Sequence, residues 1–409
     1  MLERVIRHFA ARLGGAGTSL AVVWLTARYL GATGRGQVSL FITDTAAILL
    51  FTGLLGGSSL IYLVPRRNVW HLLQPAYAWA GLVCVAGATL AAALHGAGWL
   101  YGLHLGALAL LQALLGINSS LLLGRGHERR YNALLTGQGV LLATGLALAL
   151  LALGVRTVPV FYYASYFAYG LPLLVSLLWL GQQPDVRRRS RRRQRALVRE
   201  LARHSRGAHF SNIIAFANYR LGYYVVAYLL GARALGILSV GVAVAEGLWL
   251  IARSTSLIQY VALVRGAASE ASGPGGEIQQ LAGAALGLTA LGALVLAAVP
   301  ASWLAWGFGV EFGAARPVLW ALAPGIVANA AVNLVSTYFV AQARYGISNR
   351  AAGLGLLVAL PATLLLVPRL GIVGAAAAMS ASYVASAGYL GWQLSRAGRY
   401  SNAPAAVGS

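Results

Sequence analysis

Long apolar segments separated by short polar breaks run through the whole chain. Each is about 20 residues long, the length that an α-helix needs to cross the hydrocarbon core of a bilayer. The approximate limits of the predicted spans are 9–29, 38–63, 74–94, 97–123, 132–153, 157–181, 207–230, 234–262, 279–300, 317–343, 351–367 and 371–393. The pattern predicts an all-α polytopic membrane protein with about twelve transmembrane helices.

Composition agrees with this fold class and excludes others. Of 409 residues, 59% are hydrophobic and only 10% are charged, and the mean hydropathy is +0.71. Soluble domains carry about 25% charged residues, and disordered chains have low hydrophobicity. A large soluble domain and intrinsic disorder are therefore excluded.

The net charge of +22 predicts membrane topology rather than a nucleic-acid partner, because the arginines lie between apolar segments. With the N-terminus in the cytoplasm, 23 arginines fall on the cytoplasmic side and six on the other. Positive charge favours the cytoplasmic side of a membrane protein. We expect a multi-pass protein of the inner (cytoplasmic) membrane with both termini cytoplasmic.

Missing residue types narrow the chemistry. All 31 basic residues are arginine, so a P-loop lysine and lysine Schiff-base chemistry are excluded. The single cysteine, Cys84, lies in an apolar run and is predicted to be a small buried hydrophobe. No two histidines among those at the cytoplasmic helix ends have metal-ligand spacing. We predict no catalytic site, no metal and no cofactor, apart from a possible coupling Na⁺ or H⁺, and no enzyme activity.

An arginine-rich stretch divides the chain into two nearly equal halves. The predicted organisation is an N-terminal six-helix lobe at 1–181, a cytoplasmic linker at 182–206, a C-terminal six-helix lobe at 207–393 and a cytoplasmic tail at 394–409. Within the linker, 196–203 is predicted to form a short amphipathic helix on the membrane surface. Two interpretations stay open for the linker, a solvated topology anchor and a binding site for anionic lipid headgroups.

The two halves contain an internal repeat. The segments 27–39 and 227–239 share the pattern Ala-x-x-Leu-Gly-Ala-x-x-x-Gly-x-x-Ser at an offset of 200 residues. Six predicted helices separate the copies, so both have the same orientation in the membrane. Parallel repeats of this kind are a transporter architecture.

These hairpins, together with 308–315 (Phe-Gly-Val-Glu-Phe-Gly-Ala-Ala) and 370–376 (Leu-Gly-Ile-Val-Gly-Ala-Ala), resemble the polysaccharide-exporter branch of the multidrug/oligosaccharidyl-lipid/polysaccharide flippase superfamily. The resemblance covers about residues 1–395. It implies two pseudo-symmetric six-helix lobes in a V shape, which would flip a lipid-linked saccharide, usually on undecaprenyl pyrophosphate, to the outer leaflet. No site residue is assigned on the resemblance.

Charged residues inside the predicted spans mark candidate sites, because a charge at the bilayer centre costs about 2.5–3.5 kcal/mol on insertion scales. Arg220 and Glu246 lie about 15 and 18 Å below the outer surface on neighbouring spans, so an ion pair is geometrically reasonable. Arg253 lies nearer the cytoplasmic side of the same span as Glu246. The residues Ser239, Glu246, Arg253 and Tyr260 recur every seven positions and share one helix face.

Tyr219, Tyr223 and Tyr224 lie on the preceding span. Aromatic rings stack on sugars, and arginine binds phosphate through a fork of donors. The predicted substrate-binding residues are therefore Arg220, Arg253, Glu246, Tyr219, Tyr223 and Tyr224. Alternatively, Arg220 and Glu246 only hold two helices together, and Arg253 extends to the cytoplasmic surface.

Asp44 lies about 9 Å below the outer surface and has two interpretations. It forms a structural pair with Arg35 or Arg28, or it binds a proton or sodium ion in coupled antiport. Asp44 and Glu246 are thus the ion-coupling candidates. Asn118, Asn329 and Asn333 are predicted to join helices through hydrogen bonds.

The function predicted from the sequence is a flippase that moves a lipid-linked oligosaccharide or polysaccharide precursor across the membrane by alternating access. Alternatives are an ion-coupled multidrug exporter of the same superfamily and an integral-membrane glycan enzyme. Expected partners are the lipid-linked glycan, anionic membrane lipids, and a glycan polymerase or glycosyltransferases, with no nucleic acid.

Overall fold

The computed structural model describes residues 2–183, 185, 191–268 and 275–401, and all its regular elements in these ranges are helical. In chain order the α-helices are α1 Leu2–Thr52, α2 Ser58–Leu63, α3 Val69–Leu94, α4 Trp99–Gly124, α5 Glu128–Ala147, α6 Pro159–Gly181, α7 Arg191–Ala268, α8 Gly275–Ala298, α9 Ala301–Phe308, α10 Arg316–Ala341, α11 Tyr345–Leu370 and α12 Ile372–Ser401. The predicted all-α class is confirmed.

Ten helical segments of the described chain are long and apolar enough to cross a membrane. Two of them, Gly14–Leu63 and His209–Val264, are 50 and 56 residues long, and each contains two of the predicted spans. Counting both spans in these two segments gives twelve, as predicted. The chain is therefore a multi-pass membrane protein by the length and composition of its helices.

Both double-length helices bend at one glycine. Gly31 in α1 has φ 68° and ψ −177°, and Gly231 in α7 has φ 81° and ψ 178°. Residues with a Cβ rarely adopt such positive φ angles. The two glycines occupy the same position in the internal repeat, so the repeat has a matching backbone conformation in both copies.

Two stretches differ from the predicted spans. The second span, predicted to run unbroken over 38–63, is interrupted after Thr52 by a 3₁₀ turn and by Gly57 at φ 59° before α2 begins. The predicted loop at 301–316 contains α9 and a six-residue 3₁₀ helix, Val310–Ala315. Glycine runs and short amphipathic turns give too weak a periodicity for their helical state to be read from sequence.

The chain forms two compact units, Met1–Ile213 and Ile214–Ser409. In unit 1, α3 packs on α4, α6 packs on α4 and α5, and α1 packs on α3, α4 and α5. Cys84 is buried in this core, as predicted. Asn118 joins three helices there, because it accepts from Tyr77 Oη at 2.6 Å and donates to Ser176 Oγ at 2.8 Å.

In unit 2, α12 packs on α10 and α11, and α8 packs on α10. Small residues allow these close approaches: a methyl group at Gly325 of α10 would lie 2.9 Å from Ser380 Cβ of α12. The prediction for the other two asparagines is not matched by their contacts. Asn333 donates to Asn329 O of its own helix, and Asn329 Nδ2 has no hydrogen-bond partner among the described residues.

The amphipathic helix predicted in the linker packs against unit 1, and its place on the membrane surface stays a prediction. Leu197 and Leu201 are buried in the core cluster of unit 1, and Glu200 forms an ion pair with Arg67 at 3.0 Å. The apolar face of this amphipathic segment therefore packs on protein. Most of the arginine-rich stretch before it, 186–190, lies outside the described residues.

Candidate functional site

The candidate site in unit 2 depends on the bend of α7 at Gly231. Tyr219 and Trp249 are 30 residues apart in sequence, which would place them about 45 Å apart on a straight helix. Their ring centroids are 5.6 Å apart. The two arms of α7, before and after Gly231, therefore fold back on each other as an antiparallel hairpin with almost no connecting loop.

This hairpin brings the two predicted charges together. Arg220 on the first arm has an attractive Coulomb interaction with Glu246 on the second arm and a side-chain hydrogen bond with Tyr223. Its Cζ atom lies 4.9 Å from the centroid of the Tyr223 ring. Tyr223 itself is buried. A nearby carboxylate and an aromatic ring lower the cost of placing a guanidinium group inside an apolar bundle.

Next to this pair, three aromatic rings form a cluster that we call the aromatic triad, Tyr219, Trp249 and Tyr383. Tyr219 lies 6.0 Å from Tyr383, and Trp249 lies 5.8 Å from Tyr383 in an edge-to-face arrangement. Tyr383 comes from α12 and has electrostatic interactions with Arg220 and Glu246. The triad thus joins both arms of α7 to the last helix.

Trp249 and Tyr383 were missed by the sequence reasoning. Trp249 had a usable signal, because it lies three residues after Glu246 and four before Arg253, on the same helix face. Tyr383 had none, since it is 137 residues from Glu246 and reaches the site only through the packing of α12.

The remaining predicted residues lie around this cluster with different exposure. Arg253 is exposed, and its Cζ atom lies 5.8 Å from the Trp249 ring. Tyr224 is half-buried. Ser239 is buried and donates to Gly236 O of its own helix, while Tyr260 is exposed. The polar residues that recur every seven positions therefore run from a buried end at Ser239 to an exposed end at Tyr260.

A different site occupies unit 1. Asp44 on α1 is 3% exposed. It accepts a hydrogen bond from Tyr101 Oη of α4 at 2.5 Å and lies 3.1 Å from His95 Nε2 at the end of α3. Asp44 therefore pairs with groups of α3 and α4 instead of the predicted Arg28 or Arg35. Arg35 is also buried, but its Nη1 donates to Thr26 Oγ1 at 3.0 Å across the Gly31 bend.

Aromatic and imidazole rings continue from the Asp44 site into the core. Phe41 lies 5.7 Å from Tyr101 and 4.5 Å from Tyr162, and His104 stacks on Tyr162 at 5.0 Å. His104 Nδ1 lies 3.1 Å from Tyr166 Oη. The unit 1 site therefore combines one carboxylate with imidazole and phenol groups, whereas the unit 2 site contains arginine. No group of three or more His, Cys, Asp or Glu side chains in the described residues is placed to hold a metal ion.

The architecture is an all-helical membrane fold in two compact units, with a helix bent at the repeat glycine in each half of the chain. No family model and no curated protein matches the chain. Among solved structures, it is similar to the lipid II flippase MurJ in an inward closed conformation, with a TM-score of 0.73, 13% identity, and coverage of 97% of this chain and 88% of that one.

The chain is also similar to multidrug transporters of the MATE family. An inward-facing MATE transporter of the MOP superfamily matches with a TM-score of 0.68 and 15% identity, over 95% of this chain and 96% of that one. A point mutant of the Vibrio cholerae MATE transporter VcmN matches with a TM-score of 0.57 and 14% identity, over 98% of this chain and 97% of that one. At these identities the likeness establishes the fold that the chain shares with them.

Proposed function

We propose that this protein is a flippase that moves a lipid-linked oligosaccharide or polysaccharide precursor, of the undecaprenyl pyrophosphate type, across the cytoplasmic membrane. The observation that carries the proposal is the cluster of Arg220, Glu246 and Arg253 with aromatic rings inside the apolar helices of unit 2. The cluster has two guanidinium groups and one carboxylate, so it favours an anionic headgroup.

The chemistry of these side chains suits a pyrophosphate that carries a sugar. Guanidinium groups bind phosphate oxygens through paired hydrogen bonds, and aromatic rings provide flat apolar faces for a pyranose. Arg253 is the exposed member and would make the first contact, while Arg220 is held by Glu246 and Tyr223. Tyr219, Tyr223 and Tyr224 complete the proposed binding surface. The likeness to the fold of a lipid II flippase supports the same cargo class.

Alternating access is the proposed mechanism, with hinge-like bending at the hairpins of Gly31 and Gly231. An inside-negative membrane potential drives an anionic headgroup outward with about 2.3 kcal/mol per charge per 100 mV. Coupling to Na⁺ or H⁺ through Asp44 or Glu246 would add to this driving force. We place the protein in the inner membrane with both termini cytoplasmic, beside a glycan polymerase or glycosyltransferases and anionic lipids.

A second candidate function is an ion-coupled multidrug exporter. The buried carboxylate of Asp44, bonded to Tyr101 and near His95, favours it, because such a group can exchange a proton during a transport cycle. The likeness to MATE transporters supports the same alternative.

Reconstituted protein separates the two functions. Proteoliposomes receive either a fluorescent lipid-linked oligosaccharide in one leaflet or a cationic dye in the lumen, and the movement of each is followed. A flippase moves the glycolipid to the opposite leaflet, and Arg253→Gln slows that movement. Movement of the dye without the glycolipid would establish the exporter.

A further inference from the structure

Two buried hydrogen-bonding groups in unit 2 have no hydrogen-bond partner among the described residues. Trp249 Nε1 and Tyr383 Oη are inaccessible to solvent and make no hydrogen bond within the part of the chain that the structure describes. The two side chains are 4% and 5% exposed. Buried tryptophan and tyrosine normally find a partner for their polar atom, so two exceptions in rings that touch each other are unusual.

The chemistry of these groups restricts what they bind. An indole N–H can only donate a hydrogen bond, and a tyrosine hydroxyl can donate or accept. The partner that satisfies both must therefore carry acceptor oxygens. The rings of Tyr219, Trp249 and Tyr383 pack with centroids 5.6–6.0 Å from one another, so a partner that reaches these groups also meets aromatic surface and should be partly apolar. A pyranose ring, with oxygens at its rim and C–H groups on its faces, meets both conditions.

The position of the triad connects it to the proposed phosphate contacts. Trp249 lies on the same arm of α7 as Glu246 and Arg253, and the Arg253 guanidinium lies 5.8 Å from its ring. Tyr383 interacts electrostatically with Arg220 and Glu246. In a glycosyl pyrophosphate the first sugar is bonded directly to the phosphates. A sugar at the triad would therefore lie next to phosphates bound by the arginines.

We propose that the aromatic triad becomes a sugar subsite when the transport cycle opens it, and that Trp249 Nε1 and Tyr383 Oη then hydrogen-bond the first pyranose of the cargo. The inference rests on the proposed flippase function and names the part of the site that binds the sugar. The arginines bind the pyrophosphate, and the triad distinguishes a glycosylated carrier from a bare one.

The test compares three probes on purified protein in nanodiscs: farnesyl pyrophosphate, its glucosyl form and its N-acetylglucosaminyl form. Wild-type protein should bind at least one glycosylated probe about tenfold more tightly than the bare one, the effect of one or two hydrogen bonds. Trp249→Phe and Tyr383→Phe should remove most of this difference. Arg253→Gln should weaken all three probes.

Thermal unfolding without any probe supplies a second readout. Tyr383→Phe removes a buried group that has no protein partner among the described residues, so the ligand-free variant should be as stable as wild type or more stable. A structural hydrogen bond at this position predicts the opposite result. Loss of stability in Tyr383→Phe, or variants that keep the preference for a glycosylated probe, would overturn the subsite.

The outcomes separate the subsite from the proposed function. Equal binding of bare and glycosylated probes by wild-type protein overturns the subsite and leaves the pyrophosphate site intact. Failure of wild type to bind any of the three probes overturns the proposed function and the subsite with it. A preference for the glycosylated probe that depends on both Trp249 and Tyr383 supports both.

Discussion

Unit 1 and unit 2 share a helix bend at a glycine but differ in the side chains around it. Gly31 and Gly231 bend their helices in the same way, 200 residues apart. At the same offset, Thr26 and Arg35 are hydrogen-bonded across the bend in unit 1, whereas Val226 and Leu235 are fully buried apolar residues in unit 2. The repeat therefore specifies the fold of the hairpin and leaves the polar contacts free to diverge.

The acidic residues of the two candidate sites also differ between the two copies of the repeat. Asp44 corresponds to Val244 at this offset, and Glu246 corresponds to Ala46. Unit 1 thus places its acid beside imidazole and phenol groups, and unit 2 places its acid beside arginine and indole groups. Under the proposed function, this difference would be a division of labour in which unit 1 binds the coupling ion and unit 2 binds the cargo.

The largest effect is expected from breaking the half-buried pair of Arg220 and Glu246 in unit 2. Removing one partner leaves the other charge unmatched among apolar helices, and the cost reaches about 3–5 kcal/mol for a fully buried pair. Arg220→Ala should therefore lower stability strongly, and a further Glu246→Ala change should restore much of the loss. Thermal unfolding in detergent measures both. If Arg220→Ala is as stable as wild type, the interaction of Arg220 with Glu246 does not contribute to stability.

Unit 2 also offers the control for that experiment. Arg233 and Glu311 form an ion pair at 2.9 Å, with both side chains largely exposed. Exposed pairs contribute about 0–1 kcal/mol. Arg233→Ala should accordingly change the unfolding temperature little.

The Asp44 site should respond next most strongly. Asp44→Ala leaves the Tyr101 hydroxyl without its acceptor in a buried place, and such a change costs about 1–3 kcal/mol. In proteoliposomes, Asp44→Asn should abolish any dependence of transport on the pH gradient, whereas Glu246→Gln should retain it, since Glu246 is matched by Arg220. A pH dependence that survives Asp44→Asn would contradict the division of labour.

Substitutions at Gly31 and Gly231 test whether the two bends impose the same backbone strain on a residue with a Cβ. A residue with a Cβ at positive φ and a ψ near 180° costs about 1–3 kcal/mol. Gly231→Ala meets no atom within 4 Å, so its effect reports strain in the backbone alone. Gly31→Ala should cost a similar amount. Gly287→Ala, in open space and at ordinary helical angles, is the matched control and should be neutral or stabilising.

The smallest effect is expected from transplanting the unit 2 contact into unit 1. Thr26→Val alone removes the acceptor at Arg35 Nη1 and should cost about 1 kcal/mol. Adding Arg35→Leu reproduces the Val226 and Leu235 pair, and replacing both partners by apolar groups is often nearly neutral. A double variant less stable than Thr26→Val would mean that Arg35 contributes through its other contacts.

Sequence reasoning reached the fold because membrane helices obey a simple rule. Lipid provides no hydrogen-bond partners, so every span must be helical and apolar. The spans can therefore be located from hydropathy and from the glycine-containing breaks between them. The same reasoning located Arg220 and Glu246, since charges are rare in apolar spans and the short bend at Gly231 sets their depth. It failed for the partners of Asp44, where His95 and Tyr101 replaced the expected arginines.

What the sequence determined by itself is the all-helical membrane fold, the repeat and the helices that carry charge. Only the tertiary structure decided which side chains meet. Tyr383 joins Tyr219 and Trp249 through the packing of α12, and His95 reaches Asp44 from the end of α3. Helix formation depends on neighbours three and four residues away, whereas these contacts depend on how distant helices lie side by side.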